Sequence, residues 1–180
     1  MKKSNQGSNR IDDFANIMSG SLTQSAVDTL TFSSRLEFGY SLSDNVGLVI
    51  HRIDYSFQQG FLKLLLDDSD RVVFGLVTSD QISSLVMYGS NVVDIGEVGL
   101  LKYGAAASGW LQELNPTAKH DYSDLPGGGL LVSPNPLFMA VHGVSIASVA
   151  VISYRIFYTA VTLNDRGFRE LWETWNAIRV

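Results

Sequence analysis

Several runs of the chain read as strands, the clearest with apolar and polar residues set on two faces at a period of two. The clearest run is 46–57, where Leu48, Ile50, Arg52 and Asp54 share one face and Val49, His51, Ile53, Tyr55 and Phe57 the other. The second face is apolar apart from His51 and is expected to meet the core. Runs 71–78 and 130–132 also read as strands, as do 137–142 and the long final run 145–162, with a bend or bulge expected near 148–150. Run 26–32 is the first strand candidate, 35–41 alternates less clearly, and 91–95 gives a short strand. Gly75 inside 71–78 marks a bulge or a close backbone approach. Segment 61–66 suits a strand or a helical turn. Segment 79–88 carries Ile82, Leu85 and Val86 at helical spacing, so a short helix capped by Ser79 or Asp80 is expected. Residues 110–125 read as a long loop with a strand inside, and 126–129, PGGG, as a flexible turn.

After residue 163 the period lengthens. Phe168, Leu171, Trp172, Trp175 and Ile178 fall on one side of a helix over 164–179, opposite Arg169, Glu170, Glu173 and Asn176. Asn164 or Asp165 can cap its first amides. The two tryptophans either cover the end of their own domain or anchor a neighbouring subunit, as interface tryptophans do. At the other end, residues 1–20 read as an arm, polar at its start, in which Ile11, Phe14, Ile17 and Met18 recur at helical spacing as a short helix or a docked segment. Residues 21–180 then form a single domain. About eight strands with long, irregular connections predict an all-β sandwich of the jelly-roll or Greek-key kind, closed by the short C-terminal α-helix.

Composition narrows the function. Only 17% of the 180 residues are charged, below the usual quarter, and the net charge is −5. A surface so sparsely charged suits coverage by partners, and the acidic balance argues against a general nucleic-acid binder. Lys2, Lys3 and Arg10 run against that balance, as a solvated tail or a small electrostatic arm for phosphate. The chain has no cysteine, which excludes disulfides and thiolate chemistry. No signal peptide is expected, because SNQGSNRIDDF follows Lys2 and Lys3 where an apolar core would be needed. The uncharged stretch 137–154 is broken by His142, Gly143 and serines and suits strands rather than a membrane span.

No catalytic motif is present. His51, His120 and His142 lack ligand spacing. His51 and His142 lie in strands and are expected to be satisfied structural residues, whereas His120 is expected exposed in a polar loop. Asp67, Asp68 and Asp70 are clustered carboxylates of the kind that hold an interface calcium, but without the glycine and distal glutamate of a helix-loop-helix site they read as a solvated turn. There is no G-x-S-x-G elbow and no phosphate loop, so neither enzyme chemistry nor a cofactor is expected. Tyr40, Tyr55, Tyr88, Tyr103, Trp110, Tyr122, Tyr154 and Tyr158 supply aromatics for the core or for a sugar-binding face.

The order of PGGG at 126–129, LLVSPNPL at 130–137, ASVAVISYRIFYTAVTL at 147–163 and FRELWETW at 168–175, behind a polar arm, resembles small icosahedral virus capsid proteins built on a single jelly roll. The resemblance implies self-assembly of copies of one subunit into a closed shell, a virion, made in a host cell. It implies nucleic acid packaged through an arm, although such arms are commonly strongly basic and this one holds only Lys2, Lys3 and Arg10. Independently of the resemblance, Phe168, Trp172 and Trp175 on the helix and the loop aromatic Trp110 are the candidates for subunit contact. The alternative is a β-sandwich recognition module for carbohydrate or protein.

Overall fold

The computed structural model describes residues 15–40, 45–57, 70–86, 89, 91–102, 110–112, 117–125, 127–134, 136–167 and 169. The strands are β1 (Asn16–Thr23), β2 (Thr31–Phe32), β3 (Val46–Phe57), β4 (Arg71–Val77), β5 (Val92–Lys102), β6 (Trp110–Gln112), β7 (Thr117–Asp121), β8 (Leu130–Val132), β9 (Phe138–Val144) and β10 (Val151–Thr162). They form two antiparallel sheets. The first runs β1-β10-β3-β7, with β8 also on β3, and the second runs β2-β9-β4-β5-β6. The protein is therefore an all-β sandwich. Leu48, Ile53, Ile152 and Ile156 from the first sheet meet Val72, Phe74, Leu76, Met139 and Val141 from the second, all fully buried.

Strand β3 departs from strict alternation. Arg52 pairs with Phe157, but the next partner along β10, Tyr158, pairs with Ile50, so His51 is an extra residue bulged out of the ladder. The bulge inverts the parity of the strand. Leu48 and Ile50 point inward before it, and Ile53 and Tyr55 point inward after it, each fully buried. Both apolar halves thus reach the core, while Arg52 and Asp54 turn outward. The single inward face expected from unbroken alternation is corrected by this one residue. The irregularity of β10 lies opposite it, at Phe157/Tyr158, and not near 148–150.

Other expectations shift for local reasons. The helical spacing of Ile17 and Met18 does not produce a helix: residues 16–23 pair with β10 as an edge strand, Ile17 outward and 61% exposed. Of run 26–32 only Thr31 and Phe32 form a strand, and residues 35–40 form none, although Leu36 and Phe38 are buried. Residues 79–86 form no helix. Ser79 Oγ accepts the amide of Gln81 in a tight turn. Ile82 and Leu85 then pack over Val73, Val77, Ala140, Phe32 and Phe138, covering the outer face of the second sheet. Strand β5 is longer than the short strand expected over 91–95 and extends to Lys102. The final strand begins only at Val151. Gly75 does mark a close approach, since a Cβ there would overlap the backbone oxygen of Asp94.

Residues 165–167 and 169 are helical. Asn164 Oδ1 accepts the amide of Gly167 at 2.7 Å, the expected N-cap. Asn45 Nδ2 donates to Asp165 Oδ1 at 2.7 Å, tying this turn to the start of β3. The remainder of the expected helix 164–179 lies outside the described residues. Among these no helix is long and apolar enough to cross a membrane.

Gln24 is 2% exposed and acts as a polar staple at one end of the sandwich. Its Nε2 donates to the carbonyls of Thr29 and Gly143, and its Oε1 accepts the amide of Ala150. Gln24→Leu strands those backbone groups without partners. At roughly 1–3 kcal/mol for each unsatisfied group, the expected loss is about 3 kcal/mol in urea unfolding.

Candidate functional site

Two polar constellations stand out, one between the sheets and one on the outer face of the first sheet.

The first centres on Asp94. The parity of β5 turns this carboxylate inward between the sheets, where its side chain is only 4% exposed. Across the sandwich, β3 presents Tyr55 and β7 presents His120, with Tyr122 just beyond. The Tyr55 hydroxyl donates to Oδ2, while the Tyr122 hydroxyl (2.5 Å) and His120 Nδ1 (2.6 Å) donate to Oδ1. Opposite Asp94's neighbour Gly96, a Cβ would strike the Phe74 ring at 2.5 Å and approach His120 at 3.2 Å, so the glycine leaves room for the imidazole.

The electrostatics follow from this geometry. Burial works to raise the Asp94 pKa, but the hydrogen bonds from His120, Tyr122 and Tyr55 and the charge of His120 outweigh it and hold the carboxyl below its ordinary 3.8. The hydrogen bond to Asp94 raises His120 above its ordinary 6.5, against the opposing effect of burial. Burial first, and then the Asp94 charge, push Tyr55 and Tyr122 up, so both remain donors. The cluster is a buried carboxylate accepting three hydrogen bonds that link the two sheets.

Its pH dependence has two limbs. Asp94 contributes stability that is present above 3.8 and lost as pH falls through its lowered folded value. His120 contributes stability fully present below 6.5 and lost as pH rises through its raised folded value. Tm is therefore expected to fall as pH rises above 6.5, and His120→Gln should flatten that limb in a melting series across pH.

His120 is thus a correction. It was expected exposed, but it sits on β7 with its ring turned inward and 24% exposed. The signal was alternation: Ala118, His120 and Tyr122 face in, and Lys119 and Asp121 face out. His51 is a satisfied structural residue, as expected. Its Nδ1–H donates to the Gly128 carbonyl at 2.6 Å, which leaves Nε2 to accept from Thr159 Oγ1 at 3.0 Å.

The second constellation is a groove of about 730 Å³ on the outer face of the first sheet. Strand register lays Ser19, Arg155, Asp54 and Lys119 in one row across β1, β10, β3 and β7, and Ser21, Ser153 and Ser56 in the next. Arg52 stacks on the Phe157 ring at 4.1 Å and brings Nε to 3.0 Å from Asp54 Oδ1. That distance is close enough for an ion pair, but the two atoms are misaligned for a hydrogen bond, and neither has another hydrogen-bond partner among the described residues.

Of the residues singled out in the sequence, Lys2, Lys3, Arg10, Phe168, Trp172 and Trp175 lie outside the described residues. Trp110 opens β6, paired with Lys102. Asp67 and Asp68 are also outside, and the described residues hold no group of three metal-ligating side chains. Tyr55, Tyr154 and Tyr158 are buried in the core, and Tyr122 is bound to Asp94, so these four form no aromatic sugar platform. No protein-family model matches the chain, and no curated protein matches it in sequence.

Proposed function

We propose that the chain is a jelly-roll structural protein that assembles with copies of itself into a closed, virus-like shell. The observation that carries the proposal is the nesting of the strand pairs. β1 pairs with β10, β2 with β9, β3 with β7 and β8, and β4 with β5, each pair inside the last. Such nesting is a long hairpin wound into two sheets, the plan of jelly rolls in viral shells and in lectins. The surface supports the shell member of that pair. Strand β1, an edge among the described residues, reads NIMSGSLT, with neither the charge nor the proline that blunts sheet edges in solitary proteins. Ile17, Val27 and Val86 are 61%, 45% and 52% exposed. Closed symmetry turns one such contact into many. Nucleic acid, where packaged, would meet the arm bearing Lys2, Lys3 and Arg10.

Light scattering after size exclusion tests this, with absorbance at 260 and 280 nm recorded on the same peak. A megadalton peak is expected, and the absorbance ratio reports cargo. Trp172→Ala with Trp175→Ala is expected to abolish the peak by removing subunit anchors. A stable monomer, dimer or trimer across salt and pH would instead select the β-sandwich recognition module, which the polar groove of the first sheet favours.

A further inference from the structure

We infer that the outer face of the first sheet binds an acidic oligosaccharide, a sugar chain carrying carboxylate or sulfate, with Arg155 and Lys119 as the anion-holding residues. The two sheets differ on their outer faces. The second is covered by Ile82, Leu85 and their neighbours. The first presents its groove with Arg155, Lys119, Ser19, Ser153 and Ser56 all exposed.

Charge gives the ligand its sign. Arg52 lies against Asp54 and offsets it, whereas Arg155 and Lys119 form no salt bridge among the described residues. They stand one strand to either side of Asp54 in the same row. That places their Cα atoms roughly 10 Å apart, within reach of one anionic group held above β3. Two cations with no salt bridge among the described residues, on a chain of net charge −5, mark a local anion site and not a general basic surface.

The remaining chemistry chooses a sugar over a nucleic acid. Serine hydroxyls from three strands donate and accept, matching sugar hydroxyls. Single-stranded nucleic acid needs a longer track of cations and open aromatic faces for base stacking. Phe157, an aromatic ring on this face among the described residues, is taken by Arg52. The site does not depend on assembly, and binding can be read on a monomer or a particle.

The test is calorimetric titration of the full chain with a sulfated tetrasaccharide, a uronic-acid tetrasaccharide, a neutral tetrasaccharide and a single-stranded oligonucleotide. At least one acidic sugar is expected to bind at least tenfold more tightly than the neutral sugar, and to weaken with salt. Arg155→Ser with Lys119→Ser should lower that affinity at least tenfold with an unchanged melting temperature. Ser56→Tyr, which fills the groove and leaves both cations, should lower it similarly. Amide shifts on sugar titration should map to β1, β3, β7 and β10. The inference is overturned if neither acidic sugar binds, if both variants bind as tightly as the wild type, if the shifts map elsewhere, or if the oligonucleotide binds more tightly than either acidic sugar.

Discussion

Asp94→Ala is expected to lower stability by about 4 kcal/mol. The change removes an acceptor serving three donors from two strands of the opposite sheet and the residue just beyond them. Tyr55 is fully buried, and its hydroxyl has no route to bulk water. Hydrogen bonds to a charged group contribute roughly 1.5–3 kcal/mol each, and breaking a buried ionic cluster on one side costs about 3–5 kcal/mol. For a chain of this length each kcal/mol moves Tm by about 2–4 °C, so a drop of about 8–16 °C should appear in thermal melts. Tyr55→Phe gives the complementary result. It removes one donor and leaves the acceptor two others, so a loss of only about 1–2 kcal/mol is expected. If Asp94→Ala melts within 2–3 °C of the wild type, the carboxylate does not clamp the sheets.

Gly75→Ala is expected to cost about 3 kcal/mol or more, from a single methyl group. Gly75 pairs with Ile95 on one side and Ala140 on the other, at the centre of the second sheet. Its absent Cβ would overlap the carbonyl oxygen of Asp94 and sit 3.2 Å from Cα of Ile95. Both are backbone atoms of a paired strand, so no rotamer change relieves the overlap and β5 itself must move, as in an overpacked core. Because β5 carries Asp94, that displacement also misaligns the carboxylate with its donors. Gly75→Ala and Asp94→Ala should therefore be less than additive in a double-mutant cycle by about 1 kcal/mol, as coupled neighbours are. Gly39 provides the control: it lies at φ +81° with nothing within 4 Å of an added methyl, so its alanine variant suffers backbone strain alone.

The strands with the strongest alternation were legible from residues alone. Runs 46–57, 71–78 and 130–132 mark β3, β4 and β8 nearly to their ends, whereas the last long run reaches six residues ahead of the start of β10. The inversion inside β3 was not legible, although it left a trace: Leu48 and Ile50 share a face with Arg52 and Asp54, an unfavourable mix unless the parity changes between them. A bulge depends on the partner strand, and its partner lies about a hundred residues away in sequence, so local pattern cannot place it. The same limit hid the carboxylate cluster. Asp94 looked like a polar residue in a short strand, and His120 like part of a loop. What unites them is the packing of one sheet on the other, across sequence separations of 26, 28 and 39 residues. The groove escaped for a different reason. Arg155, Asp54 and Lys119 are ordinary outward residues of three strands, and only the register puts them in a row.

The place of β10 has a consequence for how the chain comes to be folded. It is the last strand in sequence among the described residues, yet it is the inner member of the first sheet, flanked by β1 and β3. During synthesis β1 and β3 leave the ribosome well before the strand that joins them exists, and the pairing of Asn16 with Tyr158 closes nearly the whole described chain into a loop. Topologies dominated by such distant pairings fold slowly, over milliseconds to seconds. The uncharged β1 and the apolar half of β3 spend that interval as open strand edges, which favour aggregation. The first sheet can therefore close only once β10 has emerged, and yield in a heterologous host should depend on temperature and chaperones far more than the equilibrium stability of the finished sandwich would suggest.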